Sequence, residues 1–166
     1  MNPMKRPFAV LTILLAGLFL LAGPLAQYAT GQMALGLQGN WGSEADFGAG
    51  GRALINIQTT NFEAVGSADM FFPDGDVDWL DLNANLFYHF HLPDSPSVVP
   101  YIGGGLNVTR LSVDGSSTNE TGLNLGGGIR FPGASVTPFI EARGVISDAD
   151  QFVVTGGILF GPTGFR

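Results

Sequence analysis

The sequence contains no cysteine, a single lysine and two histidines among 166 residues, and only 13% of its residues are charged. The missing cysteine excludes disulfide bonds, a thiolate metal site and a lipid-modified cysteine. Ordinary soluble domains carry about 25% charged residues. A nucleic-acid-binding protein needs a basic patch, whereas this chain has a formal charge of −7. The composition therefore favours neither a typical cytosolic globule nor a nucleic acid as a partner.

The beginning of the chain has the order of an export signal. Lys5 and Arg6 precede an apolar stretch at residues 8–23, and small residues follow ahead of Gln32. The apolar stretch is shorter than the roughly 20 residues that a membrane-spanning helix needs. We predict a cleaved signal peptide at residues 1–31 and one domain at residues 32–166, with an uncleaved membrane anchor as the alternative. The domain keeps five of the seven cations and all 14 acids, which gives a formal charge of −9.

Within this domain, apolar and polar residues alternate with a period of two, which is the signature of β-strands. Residues 78–92 show the pattern best: Leu80, Leu82 and Leu86 fall on one face, and Asn83 and Asn85 fall on the other. A helix would scatter these two sets around its circumference. The pattern recurs in eight segments, at residues 33–41, 47–58, 62–72, 78–92, 99–111, 121–131, 136–146 and 151–160.

Short turn-forming stretches separate the eight segments, so we expect antiparallel neighbours joined by hairpins. The connections leave no room for the crossover helices that a parallel sheet requires. The predicted fold class is all-β: a closed antiparallel eight-stranded up-and-down transmembrane β-barrel, preceded by the helical signal peptide. Eight strands leave an interior just wide enough for side chains or for one small ligand.

Two kinds of barrel fit this alternation, and composition distinguishes them. A soluble barrel turns its apolar face inward, whereas a transmembrane barrel turns it toward lipid. The apolar face carries leucine, isoleucine, phenylalanine and methionine, and the other face carries glycine, asparagine, arginine and glutamate, which suit a crowded lumen. Residues 32–166 contain no lysine, although a soluble barrel needs many charges outside. We predict the transmembrane barrel. A soluble, secreted, lipocalin-like barrel that binds an apolar ligand is the alternative.

A polar and charged network is predicted to fill the lumen. Three arginines are available to pair with four carboxylates, and a buried charge left unpaired costs several kcal/mol. A static plug is the favoured role of this network, and a narrow path that opens when a pair changes partner is the other. The predicted lumen residues are Arg52, Glu63, Asp69, Asp81, Asn83, Asn85, His89, His91, Asn107, Asn124, Arg130, Glu141 and Arg143.

The sequence predicts no catalytic site, metal site or cofactor. Residues 74–78 are similar to the start of a calcium-binding loop, but the glycine at its sixth position and the bidentate glutamate are missing. His89 and His91 fall on one face, but no third metal ligand accompanies them. Ser95 and Ser97 follow in a proline-rich turn that suggests no oxyanion donor. We therefore expect no enzymatic activity.

The eight segments, with residues 100–106, 122–131 and 157–160 the most telling, resemble the small eight-stranded outer-membrane barrels of Gram-negative bacteria, of the OmpA/OmpX transmembrane-domain or porin-family type. The resemblance covers residues 32–160. It implies an outer-membrane protein with a structural or narrow porin-like role. The expected partners are outer-membrane lipid, the barrel-assembly machinery and periplasmic chaperones, and we expect a monomer. In this family the final strand ends in an aromatic residue, so the resemblance implies that Phe160 is the assembly signal.

The same resemblance places both termini in the periplasm and four connections on the outside. These connections are residues 43–46, 73–76, 114–120 and 147–150, and they gather most of the acidic residues. A surface adhesion module that acts through these outward loops is a further alternative function.

Overall fold

A computed structural model of the chain describes residues 32–57, 60–74, 77–95, 97–113, 116–148 and 150–162. The predicted signal peptide lies outside the described residues. In the described part, no helix is long and apolar enough to cross a membrane. The strands are β1 (Met33–Gly42), β2 (Asp46–Asn56), β3 (Phe62–Phe71), β4 (Val77–His89), β5 (Val99–Val113), β6 (Ser116–Arg130), β7 (Val136–Ile146) and β8 (Gln151–Phe160).

The eight strands form one closed barrel. Each strand is antiparallel to the next along the chain, and β8 pairs with β1 from Leu35↔Phe160 to Gly42↔Val153. Closure gives the backbone N–H and C=O groups of every strand partners on both sides, which a hydrocarbon environment requires. The prediction of a closed antiparallel eight-stranded barrel is confirmed.

The two ends of the barrel differ. The β1–β2, β3–β4, β5–β6 and β7–β8 connections lie at one end, which we name the outer end, and the other three connections lie at the inner end. β5 and β6 have 15 residues each, whereas the other strands have 10 to 13. The β5–β6 hairpin therefore extends past its neighbours at the outer end.

Two predicted boundaries are wrong by three residues or more. Residues 116–120 belong to β6 and not to an outward loop, because they pair with residues 109–113 of β5. They are polar on both faces, so the alternation that marks the other strands is missing there. β4 ends at His89, three residues earlier than predicted, because its pairing with β3 ends at Phe62↔Tyr88 and that with β5 at His89↔Tyr101.

The apolar face of the strands is turned outward all around the barrel. Leu82, Leu106 and Leu125 expose 45%, 58% and 63% of their surface, whereas Asn83 and Asn85 expose 5% and 7%. Water would penalise this arrangement, but it matches a surface that faces acyl chains and an interior that is polar. The barrel is therefore built to span a membrane.

Aromatic side chains border the apolar belt at both ends. At the inner end Phe62, Tyr88 and Phe90 stack edge to face, with 5.2 Å between the ring centroids of each successive pair. At the outer end Trp41 and Phe47 are cross-strand neighbours, and both are exposed. These positions match the aromatic girdles that mark the two lipid–water boundaries of a membrane barrel.

An arginine placed on the apolar belt tests this orientation. Leu106→Arg puts a charge in the middle of the belt and should destabilise the folded barrel by about 2–4 kcal/mol, whereas Ile146→Arg, on the same outward face at the outer end of β7, should cost less than about 1 kcal/mol. Denaturant unfolding of both variants in phospholipid vesicles measures the difference. Equal costs at the two positions would contradict a lipid-facing belt.

Candidate functional site in the barrel interior

The alternation of the strands brings nearly all predicted lumen residues together. Twelve of the thirteen are buried inside the barrel, and they come from β2 to β7. The exception is His91, which is exposed because β4 ends two residues before it. The predicted lumen position of His91 is therefore wrong. Phe160 is the last residue of β8 and its ring is exposed on the outer surface.

The first ion pair crosses the lumen from β2 to β7. Arg52 Nη1 and Nη2 donate to the two carboxylate oxygens of Glu141 at 3.0 and 3.2 Å. The guanidinium also lies over the ring of Phe139, with 4.1 Å from Cζ to the ring centroid, and its Nε donates to Gln38. The Tyr101 hydroxyl donates to Glu141 at 3.0 Å. Both buried charges are thus fully engaged, as a low-dielectric interior requires.

The second ion pair lies at the inner end. Arg130 donates through both terminal nitrogens to the carboxylate of Glu63. His89 Nε2 lies 3.1 Å from Glu63 Oε2 and 3.3 Å from Arg130 Nη1. The Arg130 guanidinium covers the ring of Tyr101, with 4.5 Å from Cζ to the centroid. Tyr101 therefore lies between the two ion pairs and contacts a group of each.

Asp69 is held by neutral donors. Its carboxylate accepts hydrogen bonds from the side chains of Gln38 at 2.5 Å, Asn40 at 2.8 Å, Ser67 at 2.9 Å and Asn83 at 3.2 Å. Four aligned dipoles take the place of a counter-ion and let a carboxylate remain in the barrel centre.

Asp81, the direct cross-strand partner of Asp69, is held in a similar way. Its two oxygens accept from Thr109 Oγ1 at 2.7 Å, Trp79 Nε1 at 2.9 Å and Gln151 Nε2 at 3.1 Å. A chain of amides fills the space beside Asp69 and Asp81, because Asn107 Nδ2 and Asn124 Nδ2 each donate to Asn83 Oδ1 at 3.0 Å. Together the bonded groups come from all eight strands and fix the strands around the lumen.

Arg143 differs from the other two arginines. It is 2% exposed, yet none of its three guanidine nitrogens has a hydrogen-bond partner among the described residues. Its charge interacts at longer range with Asp81 and Glu141. The sequence predicts three equivalent arginines, whereas the geometry gives two tight ion pairs and one guanidinium that neutralises charge without direct bonds.

Two apolar layers, which the sequence analysis did not anticipate, lie in the same interior. The inner layer packs Ala34, Leu54, Val65, Phe87, Tyr101, Phe139 and Leu159. The outer layer packs Ala45, Phe71, Trp79, Val145 and Val153, with Leu111 against it. Most of these residues are an even number of positions from a predicted lumen residue on the same strand, as Phe87 is from Asn85. Their even spacing from the predicted lumen residues would therefore have placed these apolar side chains in the interior.

Inward-facing glycines leave room for the larger polar groups. A Cβ on Gly50 would lie 2.2 Å from the Asp69 carboxylate, and a Cβ on Gly128 would lie 2.6 Å from the Tyr101 hydroxyl oxygen. Because the glycine has no side chain, the side chain of its cross-strand partner can lie directly over it inside the barrel. Glycine at these positions is what allows this many polar side chains to fit inside eight strands.

The described polar side chains of the interior connect the eight strands to one another across the lumen. The buried carboxylates of Glu63, Asp69, Asp81 and Glu141 each already accept several hydrogen bonds. In the described ranges, no cluster of three histidine, aspartate or glutamate side chains is arranged to hold a metal ion. These contacts stabilise four buried carboxylates inside a closed, low-dielectric space, two of them by ion pairs and two by neutral donors.

A barrel with an apolar exterior, aromatic borders and a polar interior defines the class of transmembrane β-barrels, and solved structures agree. The N-terminal β-barrel domain of Pseudomonas aeruginosa OprF is similar, with 17% identity, coverage of 80% of this chain and 98% of that one, and a TM-score of 0.67. Ail, the attachment invasion locus protein of Yersinia pestis, is 19% identical, with coverage of 78% of this chain and 95% of that one and a TM-score of 0.54. Neisserial surface protein A is 17% identical, with coverage of 78% of this chain and 95% of that one and a TM-score of 0.53. No family model matches the sequence, and no curated protein does.

At these identities the likeness establishes the fold: this chain has the fold of the eight-stranded outer-membrane β-barrels. The resemblance drawn from the sequence is thereby confirmed for the architecture.

The contrast between Arg52 and Arg143 can be tested with matched substitutions. Arg52→Met leaves Glu141 buried without its bidentate partner and should destabilise the barrel by about 3–5 kcal/mol, whereas Arg143→Met should change stability by no more than about 1 kcal/mol. Arg52→Met combined with Glu141→Gln should recover part of the loss. Denaturant unfolding in vesicles measures all three. A larger loss for Arg143→Met than for Arg52→Met would refute the assignment.

Proposed function

We propose that this chain is an integral outer-membrane protein whose barrel is a plugged, structural element of the membrane. The observation that carries the proposal is the layered interior: a polar belt around Arg52, Asp69, Asp81 and Glu141 lies between the inner and outer apolar layers, and the Arg130–Glu63 pair lies on the far side of the inner layer, at the inner end. Each apolar layer joins strands from both sides of the barrel. A structural role needs a stable, closed wall, and the hydrogen bonds across the lumen supply it.

The packing of the interior argues against a water-filled pore. Arg52, Arg130, Phe71 and Leu159 are each at most 1% exposed, so bulky side chains fill the lumen at several levels. Eight strands enclose little more than the volume of their own inward side chains. Ions would have to cross two packed apolar layers, where an unpaired charge is costly. The porin-like role is therefore the second candidate function. Measuring ion conduction by the purified protein tests it.

The two other interpretations from the sequence find less support. A lipocalin-like barrel needs an apolar interior and a polar exterior, which is the reverse of the positions of Leu82 and Asn83. An adhesion module needs an extended outer surface, and the described outer connections are short, apart from the β5–β6 hairpin. An enzyme needs free reactive groups, and the central carboxylates of the described part are engaged in hydrogen bonds.

Membrane location and barrel closure are tested together. The protein should fractionate with outer membranes, resist extraction by high salt and by carbonate, and migrate faster on a gel before boiling than after it, because a closed barrel keeps its shape in cold detergent. Release from the membrane by carbonate would refute the proposal and favour the soluble barrel.

Absence of conduction tests the plug. The purified protein in planar bilayers should give no discrete current steps, and Arg143→Ala should be equally silent because the apolar layers remain. Ion-selective steps in the native protein that change in Arg143→Ala would show instead that the belt lines an ion path, and would replace the plug with the porin-like role.

A further inference from the structure

The turn between β1 and β2 reaches into the mouth of the barrel at the outer end. Ser43, Glu44 and Asp46 are exposed, but Ala45 between them is 0% exposed. Its side chain packs in the outer layer, whose other members all belong to strands. Among the described residues of the outer connections, Ala45 is the one whose side chain enters an apolar layer. The β1–β2 turn therefore helps to close the lumen.

A glycine at the end of β1 makes room for this turn. A Cβ on Gly42 would lie 2.8 Å from Gln151 Oε1, 3.3 Å from the Ala45 Cβ and 3.4 Å from Cε1 of the Phe71 ring. Three groups thus meet over Gly42: the tip of the turn, the first side chain of β8 and an aromatic ring of the outer layer. The Ala45 methyl group lies beside the Gln151 amide and helps to shield it from the outside.

Two hydrogen bonds fasten the turn to β8. The Ser43 N–H donates to the Phe152 carbonyl at 2.9 Å, and the Phe152 N–H donates to Ser43 Oγ at 3.1 Å. These bonds extend the β1–β8 ladder by one pair past Gly42↔Val153. Ala45 adds a single methyl group, which is the smallest side chain of the outer layer. A segment with so few buried apolar contacts opens at a lower free energy than the strands do.

The closed position of the turn also carries two costs. Gln151 Nε2 donates to Asp81 Oδ2 at 3.1 Å, but Gln151 Oε1 is buried without a hydrogen-bond partner in the described part of the chain. Asp46 has a φ of 56°, in the left-handed region that is uncommon for residues other than glycine. A buried acceptor without a partner regains a bond to water when the turn moves away. Both costs lower the free energy of opening.

We propose that the β1–β2 turn, residues 43–46, is a lid that opens and closes over the lumen while the strands stay paired. In the closed position Ala45 completes the outer layer and excludes water. In the open position water reaches Gln151, Trp79 and Asp81, whereas the inner layer stays packed and keeps the barrel impermeable. This inference rests on the plugged barrel of the proposed function and adds a moving part to it.

The indole N–H of Trp79 reports on the lid, because Trp79 packs in the same layer as Ala45. Its Nε1 donates to Asp81 Oδ1 at 2.9 Å. The second tryptophan of the chain, Trp41, is 43% exposed and serves as the reference. Hydrogen exchange of both indoles is measured by NMR in phospholipid nanodiscs, and Trp41→Phe assigns the signals. In the native protein Trp79 should exchange at least about tenfold more slowly than Trp41.

Two matched substitutions separate the lid from the rest of the barrel. Ala45→Gln places a long polar side chain at a position that the apolar layer cannot accept, and should speed Trp79 exchange at least about tenfold. Glu44→Gln introduces the same residue at the exposed neighbouring position and should change the rate by less than about twofold. The backbone amides of Leu54 and Phe139, in the inner layer, should exchange slowly in both variants.

The possible results distinguish the lid from the plug. An unchanged Trp79 rate in Ala45→Gln would overturn the lid. Faster exchange at Leu54 and Phe139 as well would mean that the turn opens only when the whole barrel unfolds, and would overturn the lid too. Both results leave the proposed function intact. If Trp79 exchanged as fast as Trp41 in the native protein, the plugged interior would be refuted, and the lid with it.

A reversible cross-link tests the lid in a barrel that stays folded. The chain has no cysteine, so Ser43→Cys combined with Phe152→Cys supplies the only two thiols. Directly opposed residues of antiparallel strands have Cα atoms about 4.5–5.5 Å apart, which a disulfide can span. Oxidation should slow Trp79 exchange at least about threefold relative to the reduced form, because a tethered turn opens less often. Heat-modifiable migration checks that both forms are folded. Equal rates in the two forms would overturn the proposal.

Discussion

Backbone hydrogen bonding in a medium without water is the constraint on which this structure depends. Each N–H and C=O group within the apolar belt needs a partner from the protein itself. A sheet of eight strands meets that demand only if its last strand returns to its first, and the β1–β8 ladder from Leu35↔Phe160 to Gly42↔Val153 does so. The direction of the side chains follows from closure, since alternate residues then have lipid on one side and a narrow enclosed space on the other.

The enclosed space imposes the second requirement, which is that polar groups satisfy one another. Arg52 with Glu141, and Arg130 with Glu63 and His89, are paired across strands that lie far apart in sequence. Asp69 and Asp81 rely on amide, hydroxyl and indole donors. Trp79 and Tyr101 connect the apolar layers to the polar belt. Each buries its ring in one layer and donates its polar hydrogen to a carboxylate of the belt, Asp81 or Glu141.

The sequence predicts the fold and the contents of the lumen better than it predicts which side chains of the lumen pair with one another. Alternation sets the face of Asn83, Asn85 and Arg52, because a one-residue shift would move them into lipid. It fails at His91, where the strand has ended, and at residues 116–120, where both faces of the strand are polar. Whether an arginine such as Arg143 meets a carboxylate depends on the stagger between strands, which a period of two does not encode.

Ring closure also has a kinetic consequence. Hairpins such as β5–β6 bring together residues that are near in sequence, but the ladder between β1 and β8 joins Leu35 to Phe160 and forms only when the whole domain is available. Until then both terminal strands carry unsatisfied backbone groups that hydrocarbon does not tolerate. Partial entry into the bilayer is therefore unfavourable, so a chain truncated before β8 would remain at the membrane surface however many complete hairpins it possessed.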